Sequence, residues 1–281
     1  MTEPAIPERE GGLVRIRLDV AYDGTDFSGW APQPERRTVA GVLAGELTRV
    51  LGPVEGLTVA GRTDTGVHAT GQVCHVDVRT AAWAALGGTL VRRLAGLLPA
   101  DVRVIHATEV PATFDARFGA LSRRYEYRVT DAPWGADPLQ ARYTLAWPRR
   151  LDLPSLAAAS AGLVGEHDFA AYCKRKEHGT TIRALTRLDW RRGRDGVLVA
   201  TVEADAFCQA MVRSLVGALL VVGDGRRPVA WPRGLLARAE RASEVVVAPP
   251  HGLTLVAVAY PDDPGQYATR AEFTRNRRSR T

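Results

Sequence analysis

The sequence predicts an α+β fold: two ferredoxin-like α/β halves, each with a mainly antiparallel sheet, flanking a central cleft. Three observations predict it. The first hundred residues alternate strand and helix signals in the order β-α-β-β-α-β. The second half repeats strands and helices in blocks. Two of its strands are joined by a tight Arg-Gly-Arg-Asp-Gly turn, residues 192–196.

Each element has its own signal. Val14, Ile16, Leu18 and Val20 alternate with Arg15, Arg17 and Asp19, the period of a half-buried strand. Thr38 caps a helix with Val39, Val42, Leu43, Leu47 and Val50 at helical spacing, stopped by Gly52-Pro53. Apolar runs at 57–60 and 72–78 flank a turn. A helix over 82–98 ends at Pro99, and a strand follows at 102–109. In the second half we expect a strand at 121–130, an extended piece near 142–147 and a helix opened by Asp152 and Pro154 that runs to about 164. Strands at 182–190 and 197–204, helices at 208–222 and 233–242 and a strand at 253–260 complete it. The expected organisation is an N-terminal tail (1–12), a first half (13–112), a second half (113–263) and a basic, solvated C-terminal tail (264–281) too polar to pack.

A chain of 281 residues can bury a sizeable core, and its 46% hydrophobic and 24% charged residues are those of a soluble protein. Its longest strongly apolar stretch, residues 215–223, is too short to span a bilayer, so no membrane partner is expected. Residues 1–12 carry no apolar signal core, and the three cysteines (Cys74, Cys173, Cys208) lack metal-ligand spacing. Reduced thiols in a cytoplasmic protein are the expectation. Lys174 and Lys176 are the only lysines among 37 basic residues, and the net charge is +6. Arginine grips phosphate and stacks on bases, which suits RNA; the same bias also fits a GC-rich genome.

The octapeptide Gly61-Arg62-Thr63-Asp64-Thr65-Gly66-Val67-His68 carries the sharpest chemical signal. Asp64 follows the cation of Arg62 in a turn bounded by two glycines, and a carboxylate held against a guanidinium stays ionised and able to attack carbon. Taken alone, it also fits a surface turn. On the strand at 121–130, Leu121, Arg123, Tyr125, Tyr127 and Val129 share one face. Arg123 and Tyr125 there make a base-stacking platform beside a phosphate grip, or else a filled core strand. Arg213 opens an apolar helix, where a positive charge opposes the helix dipole and calls for a carboxylate or phosphate; an exposed polar face is the alternative. Cys74 and His75 point to opposite faces of a strand, against a zinc site with His68 and Asp77. No metal is expected. Phosphate-loop, dinucleotide and serine-hydrolase motifs are lacking, so no cofactor is expected either.

In these blocks the chain resembles the tRNA pseudouridine synthase A family. The blocks are Tyr22-Asp23-Gly24 with Gly29-Trp30, Ala60 to Ala69, Ala116-Arg117-Phe118 with Arg123 to Tyr127, His167-Asp168-Phe169 with Thr181-Ile182-Arg183, and Phe207 with Met211-Val212-Arg213 and Val216-Gly217. The resemblance implies the pseudouridine synthase fold, a homodimer, and isomerisation of uridines 38, 39 or 40 in the tRNA anticodon arm. It implies that Asp64 is the nucleophile, that Arg62 and Arg213 hold its environment, and that Tyr125 contacts the target uridine. Substrate contacts are further implied for Arg123, Arg117, His68, Arg183 and Phe207. Asp115, Ala31 and Ala95 depart from the family's usual His, Gln and Asn.

Overall fold

The computed structural model describes residues 12–174 and 180–279; the expected N-terminal tail, apart from Gly12, lies outside them. The chain divides into two compact units, one of residues 1–121 with 257–280 and one of residues 122–256.

The first unit contains β1 (Leu13–Tyr22), α1 (Val39–Leu51), β2 (Glu55–Val59), β3 (His68–Arg79), α2 (Thr80–Leu86), α3 (Leu90–Leu97) and β4 (Val102–Val110). The sheet runs β4-β1-β3, with β2 also paired to β3, and these pairs are antiparallel. Ile16, Leu18 and Val20 are buried along β1. As expected, Thr38 caps α1, its hydroxyl accepting from the Gly41 amide at 3.3 Å, and Gly52 ends it at a φ of 77° that favours glycine. The helix expected over 82–98 is instead two, interrupted by a 3-10 turn at Gly87–Thr89. The consecutive glycines explain the break, and a Cβ at Gly87 would press on the Trp83 ring at 2.8 Å.

The second unit contains β5 (Ser122–Thr130), β6 (Leu145–Ala146), α4 (Leu153–Ala161), β7 (Gly165–Asp168), β8 (Ile182–Arg192), β9 (Leu198–Ala204), α5 (Met211–Gly223) and α6 (Trp231–Gly234). Its sheet runs β5-β9-β8-β7 with antiparallel neighbours, and β6 adds in parallel to β5. Strand β7 is an element the sequence pattern did not suggest. The helix expected over 233–242 is replaced by the short α6 and a 3-10 turn at Leu235–Ala237. Pro232 starts it early, and the Ala242 amide leaves helical bonding to donate to the Ala171 carbonyl at 3.0 Å.

Strand β10 (Leu253–Ala259) carries the chain back to the first unit, where α7 (Tyr267–Ser279) packs. This corrects the expectation of a tail too polar to pack. Tyr267 and Ala271, one helical turn apart, are buried, and that narrow stripe is enough to seat an otherwise polar helix. Phe114 is the centre of the cluster that Tyr267 joins. Its ring meets Tyr260 at 4.9 Å, Tyr267 at 5.3 Å and His75 at 6.1 Å, alongside Ala60, Val73 and Ala116.

The three reduced thiols expected from composition are likewise corrected. Cys173 and Cys208 are joined as a disulfide with Cα atoms 5.7 Å apart. The 3-10 turn at Ala170–Tyr172 and a bond from the Lys174 amide to the Gln209 carbonyl bring the two segments together. Cys74 is a free thiol, and complete burial pushes its pKa up.

Because Phe114 is fully buried at the junction of the sheet and the C-terminal segment, Phe114→Ala is expected to cost about 3–5 kcal/mol in urea denaturation. Amide hydrogen exchange in α7 should accelerate with it.

Candidate active site

The turn between β2 and β3 carries Asp64 and is built almost wholly from backbone constraints. Gly66 takes a φ of 76°, and the Val67 amide closes the turn on the Asp64 carbonyl at 3.2 Å. Thr63 is buried between neighbours: the Trp30 amide donates to its carbonyl at 3.1 Å, and its Oγ1 lies 2.8 Å from the Tyr22 hydroxyl. The Gly24 amide donates to His68 Nδ1 at 3.0 Å, with Asp23 Oδ1 3.1 Å from the same nitrogen. Glycine is required on the facing segment. A Cβ at Gly24 would stand 2.0 Å from the Val67 carbonyl oxygen, and one at Gly29, whose φ is 91°, would stand 2.8 Å from that of Thr63.

Asp64 is half-buried on this turn and Arg62 is exposed. The two side chains therefore differ in exposure. The reason is local: with Thr63 anchored inward on Tyr22, its neighbour Arg62 is carried to the solvent side. His68 is buried and engaged with Gly24, so within this unit it braces the turn. His75 does similar work, its Nδ1 accepting from the Ala116 amide at 3.0 Å.

Arg117 is exposed beside Phe118, its guanidinium 5.0 Å from the ring centre, and Arg275 of α7 lies at the same distance from that ring. The departing residue Asp115 explains the arrangement. Its Oδ1 accepts from the Arg117 and Phe118 amides, and its Oδ2 pairs with Arg275 at 2.6 Å.

In the second unit, β5 has the expected alternation. Arg123, Tyr125, Tyr127 and Val129 are buried, while Ser122 and Arg124 bond to Glu203 from the other face. Burial alone would raise the Glu203 pKa, but those hydrogen bonds and the Arg124 charge bring it below the usual carboxylate range. Arg123 donates to the Asp205 carbonyl at 2.8 Å, and the Tyr125 ring meets Phe207 edge-on at 5.3 Å. The Asp205 carboxylate accepts from the Ala184 and Ala206 amides, tying β8, next to Arg183, to the segment that carries Phe207. Arg123, Tyr125 and Phe207 are therefore brought together, with Arg183 one residue from the same knot.

Arg213 is half-buried in the first turn of α5. Its Nε donates to the Ala248 carbonyl at 2.7 Å, and the Ala248 amide returns a bond to the Arg213 carbonyl at 3.0 Å. Gly217 permits this close approach, since a Cβ there would fall 1.8 Å from the Val246 carbonyl oxygen. Ala210, just before the helix, holds a left-handed φ of 65°, a conformation that costs a non-glycine residue free energy. Sequence reasoning did not single out Gln72, Asp205 or Ala210. A polar amide inside the apolar run of β3 was the available signal for Gln72; Asp205 and Ala210 carry none.

Gly24→Ala is expected to destabilise the protein by about 1–3 kcal/mol through overpacking against Val67. Urea denaturation measures the loss, and a stability equal to wild type would contradict the close approach.

Comparison with known proteins agrees with this architecture. A family model described as tRNA pseudouridine synthase matches residues 159–261. A tRNA pseudouridine synthase A from Frankia casuarinae is 60% identical, the match covering 94% of this chain and 95% of that protein. One from Mycobacterium leprae is 52% identical over 95% of this chain and 96% of its own length. Among solved structures, a Cbf5-Nop10-Gar1 complex aligns over 73% of this chain and 45% of that one, at 12% identity with a TM-score of 0.32, too slight to carry an argument. On the strength of the near full-length relatives, the chain belongs to the tRNA pseudouridine synthase A family, isomerases that convert uridine to pseudouridine.

Proposed function

We propose that this chain isomerises uridines 38, 39 or 40 in the anticodon arm of tRNA, using Asp64 as nucleophile on a uridine swung out of its stack. The observation that carries this reading is the contrast within one turn: Thr63 and His68 are locked inside, while Asp64 between them stays half-exposed. A carboxylate held by a rigid backbone and still reachable from solvent is suited to attack a large substrate.

The reaction breaks the C1′–N1 bond, turns the base and joins C1′ to C5; C5 gives up its proton and N1 takes one up, so the net change is an isomerisation. No oxidant or energy carrier enters that balance. One carboxylate serves all three available routes: addition to C1′, addition to C6, or removal of the C2′ proton. Swinging the uridine out costs a few kcal/mol, and stacking on an aromatic side chain returns about 1–3 kcal/mol per base. We assign that contact to Tyr125, supported by its place beside Arg123 and its ring contact with Phe207. Arg213 supplies positive charge to the reaction, supported by its fixed Nε bond to Ala248. Arg62, exposed beside Asp64 in the turn, is suited to an RNA phosphate. Arg117, Arg123 and Arg183 complete the proposed RNA contacts, His68 supports the turn from behind, and the enzyme works as a cytoplasmic homodimer.

Two measurements test the assignment. Asp64→Ala should abolish tritium release from C5-labelled uridine in tRNA while tRNA affinity stays within a few-fold of wild type; retained release removes the carboxylate from the mechanism. Tyr125→Phe should slow turnover with affinity little changed, and full activity would reduce its hydroxyl to packing.

A further inference from the structure

Gln72 is fully buried in β3, opposite Val20 of β1 in the antiparallel register. Its side-chain amide has every hydrogen-bonding group in use. Nε2 donates to the Gly61 carbonyl at 2.8 Å and to the Tyr22 hydroxyl at 3.2 Å, and Oε1 accepts from the Val73 amide at 3.2 Å. The Tyr22 hydroxyl that accepts from Gln72 also shares a hydrogen bond with Thr63 Oγ1, 2.8 Å away. Gly61 and Thr63 bracket Arg62 and lead into Asp64. One buried amide thus grips the turn at two points, directly at Gly61 and through Tyr22 at Thr63.

A polar chain in this location is a poor device for stability. Apolar side chains of similar volume at 72, 22 and 63 would fill the same space without the desolvation of four polar groups. What the chain supplies is direction: hydrogen bonds fix a backbone in orientation as well as position, and apolar packing does not. We propose that Gln72, Tyr22 and Thr63 are positioning residues for the reaction, acting through the turn to hold the Asp64 carboxylate at its attack geometry. The inference rests on the reading of Asp64 as nucleophile.

The test uses full-length protein and a tRNA transcript with C5-tritiated uridine, measuring kcat, KM and thermal unfolding. Tyr22→Phe and Thr63→Val each remove one oxygen from the chain. Each should lower kcat by about 10–100-fold with KM within about twofold, the scale expected for a misplacement near 1 Å. The double variant should be no slower than the worse single variant, since both changes break the same bond. Thr63→Ser, which restores the hydroxyl, should recover kcat to within about threefold of wild type. A kcat at wild-type level in both single variants, additive losses in the double variant, or no recovery in Thr63→Ser would overturn the positioning role. Asp64→Asn is assayed in parallel: an active Asp64→Asn sinks the nucleophile reading itself, whereas an inactive one beside fully active Tyr22→Phe and Thr63→Val sinks only this inference.

Discussion

The Asp64 turn depends on one constraint, the close backbone approach of residues 22–30 to residues 61–68. Gly24 and Gly29 are glycines because the opposing carbonyls of Val67 and Thr63 occupy the space a Cβ would need. That proximity lets the Trp30 amide reach Thr63 and the Gly24 amide reach His68. It also seats the Tyr22 hydroxyl beside Thr63. Thr63 and His68 are thereby bonded to a neighbouring loop and strand, which leaves the turn few ways to relax. These bonds fix the backbone on either side of Asp64.

The second unit reaches a similar result with different parts. Strand alternation puts Arg123 and Tyr125 on one buried face of β5. A buried guanidinium needs an acceptor, and the Asp205 carbonyl provides one. The carboxylate of the same residue then ties β8 to the segment leading to Phe207. Arg213 is fixed by a reciprocal pair of bonds with Ala248, and Gly217 makes room for the Val246–Ala248 segment. Arg123 and Arg213 are thus each held by a backbone carbonyl.

The residues at which this chain departs from its family's usual pattern are not all alike. Asp115 has a structural account: it caps the Ala116–Phe118 turn and takes Arg275 from α7, so the C-terminal helix is bound to the block that carries Arg117. Two guanidiniums then share the Phe118 ring, which leaves a basic surface on a rigid base. Nothing in the structure explains Ala31 or Ala95.

Much of the architecture was legible in the residues themselves, because alternation, caps and glycine-proline stops are local signals. Strand β1, the Thr38 cap, the face of β5 and the hairpin at 192–196 need no distant partner to be read. The Gly61–His68 motif and the membership of the family were legible for the same reason, being contiguous strings. Only the tertiary structure decided what depends on neighbours far along the chain. Arg62 turns outward because Tyr22, 41 residues from Thr63, takes the residue beside it. The polar α7 folds because Phe114 offers Tyr267 a seat, and Cys173 meets Cys208 across 35 residues. Gln72, Asp205 and the left-handed Ala210 carry their meaning in bonds and backbone angles, and a linear sequence does not encode those in any local pattern.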